Sequence, residues 1–272
     1  MLPVVAVSAD RENAKSRSAE TAFAELVEIV RRLRAPGGCP WDREQTHDTL
    51  KPFLIEEAYE LLDAIDRRRD DALCEELGDV LLQIMLHAQI GAEEGAFDVA
   101  AVIDGLSGKL VGRHPHVFGD TAVNGAGEVL VNWEKIKKRE KAGRGLFDGL
   151  PMSLPALQKA ARMGEKAGRV GFDWPDAAGV RAKVAEELRE VDEAVASGDA
   201  EAVERELGDL LFSVAQWTRH LGHLPEEVLR KGCGRFATRF AAMESLVRES
   251  GRELSDLGPD ALEAAWQEAK RR

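Results

Sequence analysis

The stretch "EELGDVLLQ" at residues 75–83 returns 130 positions later as "RELGDLLFS" at 205–213. Each copy sets Glu-x-x-Asp around a glycine and runs straight into apolar residues. Leucines at helical spacing predict a helix for both copies. A glycine inside a helix costs roughly 1 kcal/mol relative to alanine, and its recurrence therefore asks for a cause. Close approach of a neighbouring helix and close approach of a ligand are the two candidate causes.

Working outward, the same order of blocks appears on both sides. "GCPWD" (38–42) answers "GFDWPD" (171–176), and "IEEAYE" (55–60) answers "AEELRE" (185–190). "KLVGRHPHVF" (109–118) answers "KGCGRFATRF" (231–240), and "WEKIKKR" (133–139) answers "WQEAKRR" (266–272). With the Glu-x-x-Asp segments, these blocks define a degenerate tandem duplication. Breaks rich in Gly or Pro fall at 35–42, 119–128 and 141–157. The third divides the chain into a first half (18–140), a linker (141–157) and a second half (158–272), behind a tail at 1–17 expected to be poorly ordered. Apolar residues recur at helical spacing throughout, as in "TAFAELVEIVRRL" (21–33), and the expected class is all-α.

The carboxylates carry the chemistry. Glu56, Glu57 and Glu60 precede Glu76 and Asp79 with residues 61–75 between; Glu186, Glu187 and Glu190 precede Glu206 and Asp209 with residues 191–205 between. Positions i and i+3 share a helix face, and a tight turn between the two helices would fold them into an antiparallel hairpin. Glu57, Glu60, Glu76 and Asp79 would then converge, as would their counterparts Glu187, Glu190, Glu206 and Asp209. Like charges so gathered repel, and a hard divalent cation with oxygen ligands compensates them. A di-iron or di-manganese carboxylate bundle needs two Glu-x-x-His elements, but only "EQTH" (44–47) matches and it lies outside the repeated block. Mg2+, with Mn2+ as a substitute, fits better. His114 and His116 in "RHPHVFGD" lack a third ligand at zinc spacing, and Pro115 there reads as a helix stop.

Lys109 and Arg113 are repeated as Lys231 and Arg235, and Trp133 and Lys137 as Trp266 and Lys270. Cations beside an indole suit a nucleotide, the former on phosphates and the latter on base or ribose. The net charge of −12 argues against a nucleic-acid polymer or an anionic membrane as partner. No apolar run is long enough to span a bilayer, and the three cysteines (Cys39, Cys74, Cys233) form no CxxC pair. These features predict a protein of the reducing cytoplasm. A phosphate-binding P-loop is absent from the sequence, as is a credible nucleophilic triad.

The blocks "GCPWDREQT", EExxE-x15-ExxD, "KLVGRHPHVFGD", "SLPAL", "VGFDW" and "GDLLFSVAQWTRHL" together resemble the MazG nucleoside triphosphate pyrophosphohydrolases in their two-domain form, over roughly residues 20–272. The resemblance implies tandem helical domains that assemble as four-helix-bundle-like structures in a homodimer. It also implies Mg2+-dependent hydrolysis of NTPs and dNTPs to monophosphate and pyrophosphate, a nucleotide-pool cleaning role. On this reading the metal ligands are Glu187, Glu190, Glu206 and Asp209, with Glu57, Glu60, Glu76 and Asp79 at the matching first-half positions. Lys183, Lys231, Arg235, Trp266 and Lys270 contact the nucleotide, and Glu186 or Glu187 orients or deprotonates water. Cys233 departs from the family, which commonly has an asparagine there. Phe53 stands four residues before Glu57 where Lys183 stands before Glu187, and the second half is therefore expected to be the main catalytic domain.

Overall fold

The computed structural model describes residues 18–140, 143 and 145–271, with the backbone alone at 130, 134, 135 and 137–140. The tail expected at 1–17 and the side chain of Lys137 lie outside the described residues. The fold is all-α, with no strand among the described residues. It forms two compact units, Met1–Lys141 and Ala142–Arg272.

Unit one runs α1 (Ala19–Arg34), α2 (Pro40–Glu44), α3 (Lys51–Arg67), α4 (Asp70–Glu93), α5 (Val99–Arg113), α6 (Pro115–Phe118) and α7 (Ala126–Glu140). Local chemistry sets the ends. The Ser18 hydroxyl accepts from the Thr21 amide at 3.3 Å to start α1, and the Asp98 carboxylate accepts from the Ala101 amide at 2.8 Å to start α5. Arg31, Arg32 and Arg34 crowd the last turn of α1, where the helix dipole favours cations. Pro115 does not simply stop a helix: α5 ends at Arg113, and Pro115 opens the single turn of α6.

The core of unit one is Val30 from α1, Leu50, and Met85, Leu86 and Ile90 from α4, with Phe23, Leu26, Val27 and Phe53 packed against it. Arg34 ties the layers together. Its guanidinium donates to Glu93 at 2.8 Å and to the carbonyl of Gln45 at 3.0 Å, and also reaches the Asp42 carbonyl.

Unit two repeats the order with α8 (Ala156–Gly168), α9 (Ala177–Ser197), α10 (Ala200–His220), α11 (Pro225–Glu249) and α12 (Pro259–Arg271). Asp176 and Asp199 cap α9 and α10 through their carboxylates. Small residues on α8 (Ala160, Ala161, Gly164) are buried and let α10 come close. There Gln216 is fully buried, donating to the Ala160 carbonyl at 2.7 Å and accepting from the Arg219 guanidinium at 3.0 Å.

Candidate functional site

The repeated acids lie on a helix hairpin in each unit. Arg68 and Arg69 join α3 to α4, and Gly198 and Asp199 join α9 to α10. Both turns use the left-handed region at the first linking residue, φ 53° at Arg68 and φ 73° at Gly198. Two-residue links force each pair antiparallel, so the Glu-x-x-Asp face of one helix meets the Glu-x-x-Glu face of the other.

In unit one, oxygens of Glu57, Glu76 and Asp79 all lie within 4.8 Å of one another. Glu60 is exposed and stands outside that trio, close enough to act electrostatically on Glu57 and Glu76. Burial pushes the Glu57 carboxyl up, and the neighbouring charges of Asp79, Glu60, Glu56 and Glu76 push the same way. Glu76 is raised for the same reasons.

In unit two the trio is Glu187, Glu190 and Glu206, again within 4.8 Å, while Asp209 is exposed and not among them. Glu187 is only 4% exposed and is held by the Lys183 ammonium at 2.7 Å. Lys183 also donates to Glu186 at 3.0 Å, and these two partners raise its pKa. The structure thus brings three of the four expected ligands together in each unit.

The clustered atoms of both trios are all carboxylate oxygens. That fits a hard divalent cation such as Mg2+ and offers nothing to a soft one. His47 and His87 are not members of either trio: their rings stack with centroids 5.0 Å apart and Nδ1 atoms 2.7 Å apart, and His47 Nε2 lies 3.8 Å from Glu94. His114 is engaged with the Leu110 carbonyl at 2.6 Å.

Lys231 and Arg235 lie on α11, and Trp266 and Lys270 on α12. Lys270 lies 5.5 Å from the ring centre of Trp266, and Phe236 packs on the same indole with centroids 5.2 Å apart. Arg235 is exposed beside Phe236, and Lys231 pairs with Glu227 at 2.9 Å. Hydrogen bonds from Arg230 and Lys231 hold the Glu227 carboxyl at about 2. An open apolar cavity of about 520 Å3 lies here, lined by Phe236, Phe240, Met243, Leu254, Ser255, Pro259, Leu262, Glu263 and Trp266. Sequence reading singled out Trp266 but missed Phe236 as its ring partner. The available signal was the phenylalanine directly after the repeated Gly-Arg.

A second missed cluster includes His220, whose ring meets that of Trp174 edge-on with centroids 6.4 Å apart. Asp173 accepts from Arg219 at 2.7 Å and contacts His220 at 2.9 Å. Only the position of Asp173 inside "GFDWPD" hinted at it.

A Cβ at Gly78 or Gly208 would meet nothing within 4 Å, so among the described residues no neighbouring helix requires either glycine.

Comparison with known proteins then places the chain among relatives. Residues 45–118 and 177–239 match the MazG nucleotide pyrophosphohydrolase domain, covering the acid hairpin of each unit. The chain is 47% identical over 256 residues to a nucleoside triphosphate pyrophosphohydrolase/pyrophosphatase MazG of Thermotoga maritima, covering 93% of this chain and 98% of that protein. It is 43% identical over 252 residues to a nucleoside triphosphate pyrophosphohydrolase of Escherichia coli K12, covering 90% and 96%. An uncharacterized Bacillus subtilis protein, YabN, is 47% identical over 251 residues, covering 91% of this chain and 51% of its own length.

Proposed function

The chain belongs to the MazG family of nucleotide pyrophosphohydrolases, and on that premise we propose that it hydrolyses nucleoside and deoxynucleoside triphosphates to the monophosphate and pyrophosphate. The observation that carries the reading is the duplicated trio of carboxylates on a helix hairpin, with Lys183 seated on the second trio. Folding alone gives no reason to gather such charges.

Glu187, Glu190 and Glu206, with Asp209 one turn on, would hold Mg2+; Glu57, Glu76, Asp79 and Glu60 are the matching set. When bound, the ion neutralises triphosphate oxygens and makes a nearby water more acidic. The chain's own residues do the rest. Glu186 shares the Lys183 ammonium but stands outside the trio, and so remains available to orient the attacking water and take its proton. Oxygen from water bonds to the α-phosphorus, the bond to the bridging oxygen breaks, and pyrophosphate leaves with the electron pair. Lys231, Arg235 and Lys270 meet the phosphate charge, and Trp266 offers an aromatic face to base or ribose.

A homodimer fits the surface. Ile55 and Leu77 on the first hairpin are 57% and 52% exposed, and Val195 and Leu211 on the second are 60% and 58% exposed. Apolar faces of that kind on a two-helix hairpin need a further pair of helices to cover them, and a second copy supplies one. No helix among the described residues is long and apolar enough to cross a membrane. The three unpaired cysteines suit a reducing cytoplasm.

Product analysis by 31P NMR with a panel of NTPs and dNTPs tests the activity. Monophosphate plus pyrophosphate, abolished in Glu206→Gln, is the expected result. Diphosphate plus phosphate would overturn attack at the α-phosphorus, and no turnover would overturn the enzymatic reading.

A further inference from the structure

The two trios differ in what neutralises them. In unit two, Lys183 sits 2.7 Å from Glu187, Arg205 lies 3.3 Å from Glu206, and Arg189 lies 3.7 Å from Glu190. Every clustered acid there has a cation beside it. At the repeat offset of 130, unit one has Phe53 for Lys183, Tyr59 for Arg189 and Glu75 for Arg205. Two positions have lost the cation, and the third has gained an acid. Among the described residues no Lys, Arg or His pairs with Glu57, Glu76 or Asp79. One turn beyond Asp79 on α4, Gln83 is 5% exposed and its Oε1 has no hydrogen-bond donor among the described residues.

We propose that the two units take a divalent cation on different terms: unit one binds the free ion, whereas unit two admits it only together with a triphosphate. Lys183 is the residue that imposes the condition, acting as a positioning residue. The Lys183 ammonium lies 2.7 Å from a carboxylate oxygen of buried Glu187, so Lys183 and a metal compete for the same carboxylate. Two cations held on one carboxylate also repel each other. A triphosphate resolves the competition. Its oxygens draw the ammonium, a compact charge on a flexible four-carbon stem, away from Glu187, which then becomes a ligand. Unit two thus stays closed to the bare ion until substrate arrives, and unit one is a standing cation site. This inference rests on the reading above that the acids hold a divalent cation.

The test uses the full chain and Mn2+, followed by loss of the free-ion electron paramagnetic resonance signal, with and without an α,β-methylene triphosphate analogue. Without the analogue, Mn2+ binding is expected to disappear in Glu76→Gln and persist in Glu206→Gln. The analogue adds a second class of binding that Glu206→Gln removes and Glu76→Gln spares. Lys183→Met lets Mn2+ into unit two without nucleotide, with affinity up by about tenfold or more. The comparison of the wild-type protein with the two glutamine variants stands whether or not Lys183→Met folds. Nucleotide-free binding that Glu206→Gln removes, with hydrolysis to monophosphate intact, overturns this inference alone. No Mn2+ binding under either condition overturns the metal reading and this inference with it.

Discussion

Gln216 lies so close to Gly164 that a methyl group placed on the glycine would fall 1.8 Å from the amide oxygen. That amide bridges α10 to the Ala160 carbonyl of α8 and is sealed from solvent, so it has no room to withdraw. Gly164→Ala is expected to destabilise unit two by about 2 kcal/mol, the range of overpacked cores. Urea unfolding of the variant checks it; an unchanged midpoint would mean that the two helices part freely.

Gly78 and Gly208 should behave in the opposite way. None of the described residues crowds them, so alanine at either position should stabilise the isolated chain by about 1 kcal/mol through helix propensity. If a second copy covers the hairpin faces as proposed, the same substitutions should weaken that association, because the partner would meet the new methyl groups. Thermal unfolding and light scattering after size exclusion read the two effects. A rise in Tm with the dimer unaffected would show that nothing approaches these glycines.

The hairpin turns offer a matched exchange. Arg68 carries φ 53° where the second hairpin has Gly198 at φ 73°. A side chain in the left-handed region costs about 1 kcal/mol, so Arg68→Gly should raise the melting temperature of unit one and Gly198→Arg should lower that of unit two. Calorimetry of each variant decides the signs.

Asp173 predicts an acid-sensitive contact. Burial works to raise its carboxyl, but hydrogen bonds from Arg219 and His220 prevail and hold it at about 2 against the ordinary 3.8. A depressed carboxylate stabilises the fold above its unfolded value, and the contribution is lost as pH falls from about 3.8 toward about 2. Asp173→Asn should cost about 2 kcal/mol near neutrality and little at the acid end. Equal losses at pH 7 and pH 2.5 would contradict the assignment.

Glu57 has the reverse sign. Its carboxyl is raised above the ordinary 4.5, chiefly by burial and then by Asp79, Glu60 and the other acids. Unfolding then releases a proton, so stability falls as pH rises from 4.5 to the higher folded value and stays lowered above it. In metal-free protein Glu57→Gln should therefore raise Tm at pH 7, and the gain should shrink toward pH 4. Mg2+ should raise the wild-type Tm most at pH 7 and have less effect on Glu57→Gln. A Tm difference independent of both pH and Mg2+ would show that the acids are merely solvated.

Much of this protein was legible from its residues. Helical periodicity is local, so the all-α class followed from apolar spacing along the chain, and the paired hairpins from the equal separations, 61–75 and 191–205, between the repeated acids. The i, i+3 rule alone places Glu76 with Asp79 on one face and Glu187 with Glu190 on another. The tertiary structure decided what local spacing cannot express. The rotation of each helix about its axis left Glu60 and Asp209 outside their trios and gathered the other three acids. Side-chain reach across turns put Lys183 on Glu187, while a contact between helices put Phe236 on Trp266. Long-range packing closed Gln216 onto Gly164 and brought Arg219 to Asp173 across 46 positions of sequence. Helix identity and face come from neighbours a few residues away; which faces meet, and which charges are left unbalanced, comes from residues that only the fold makes neighbours.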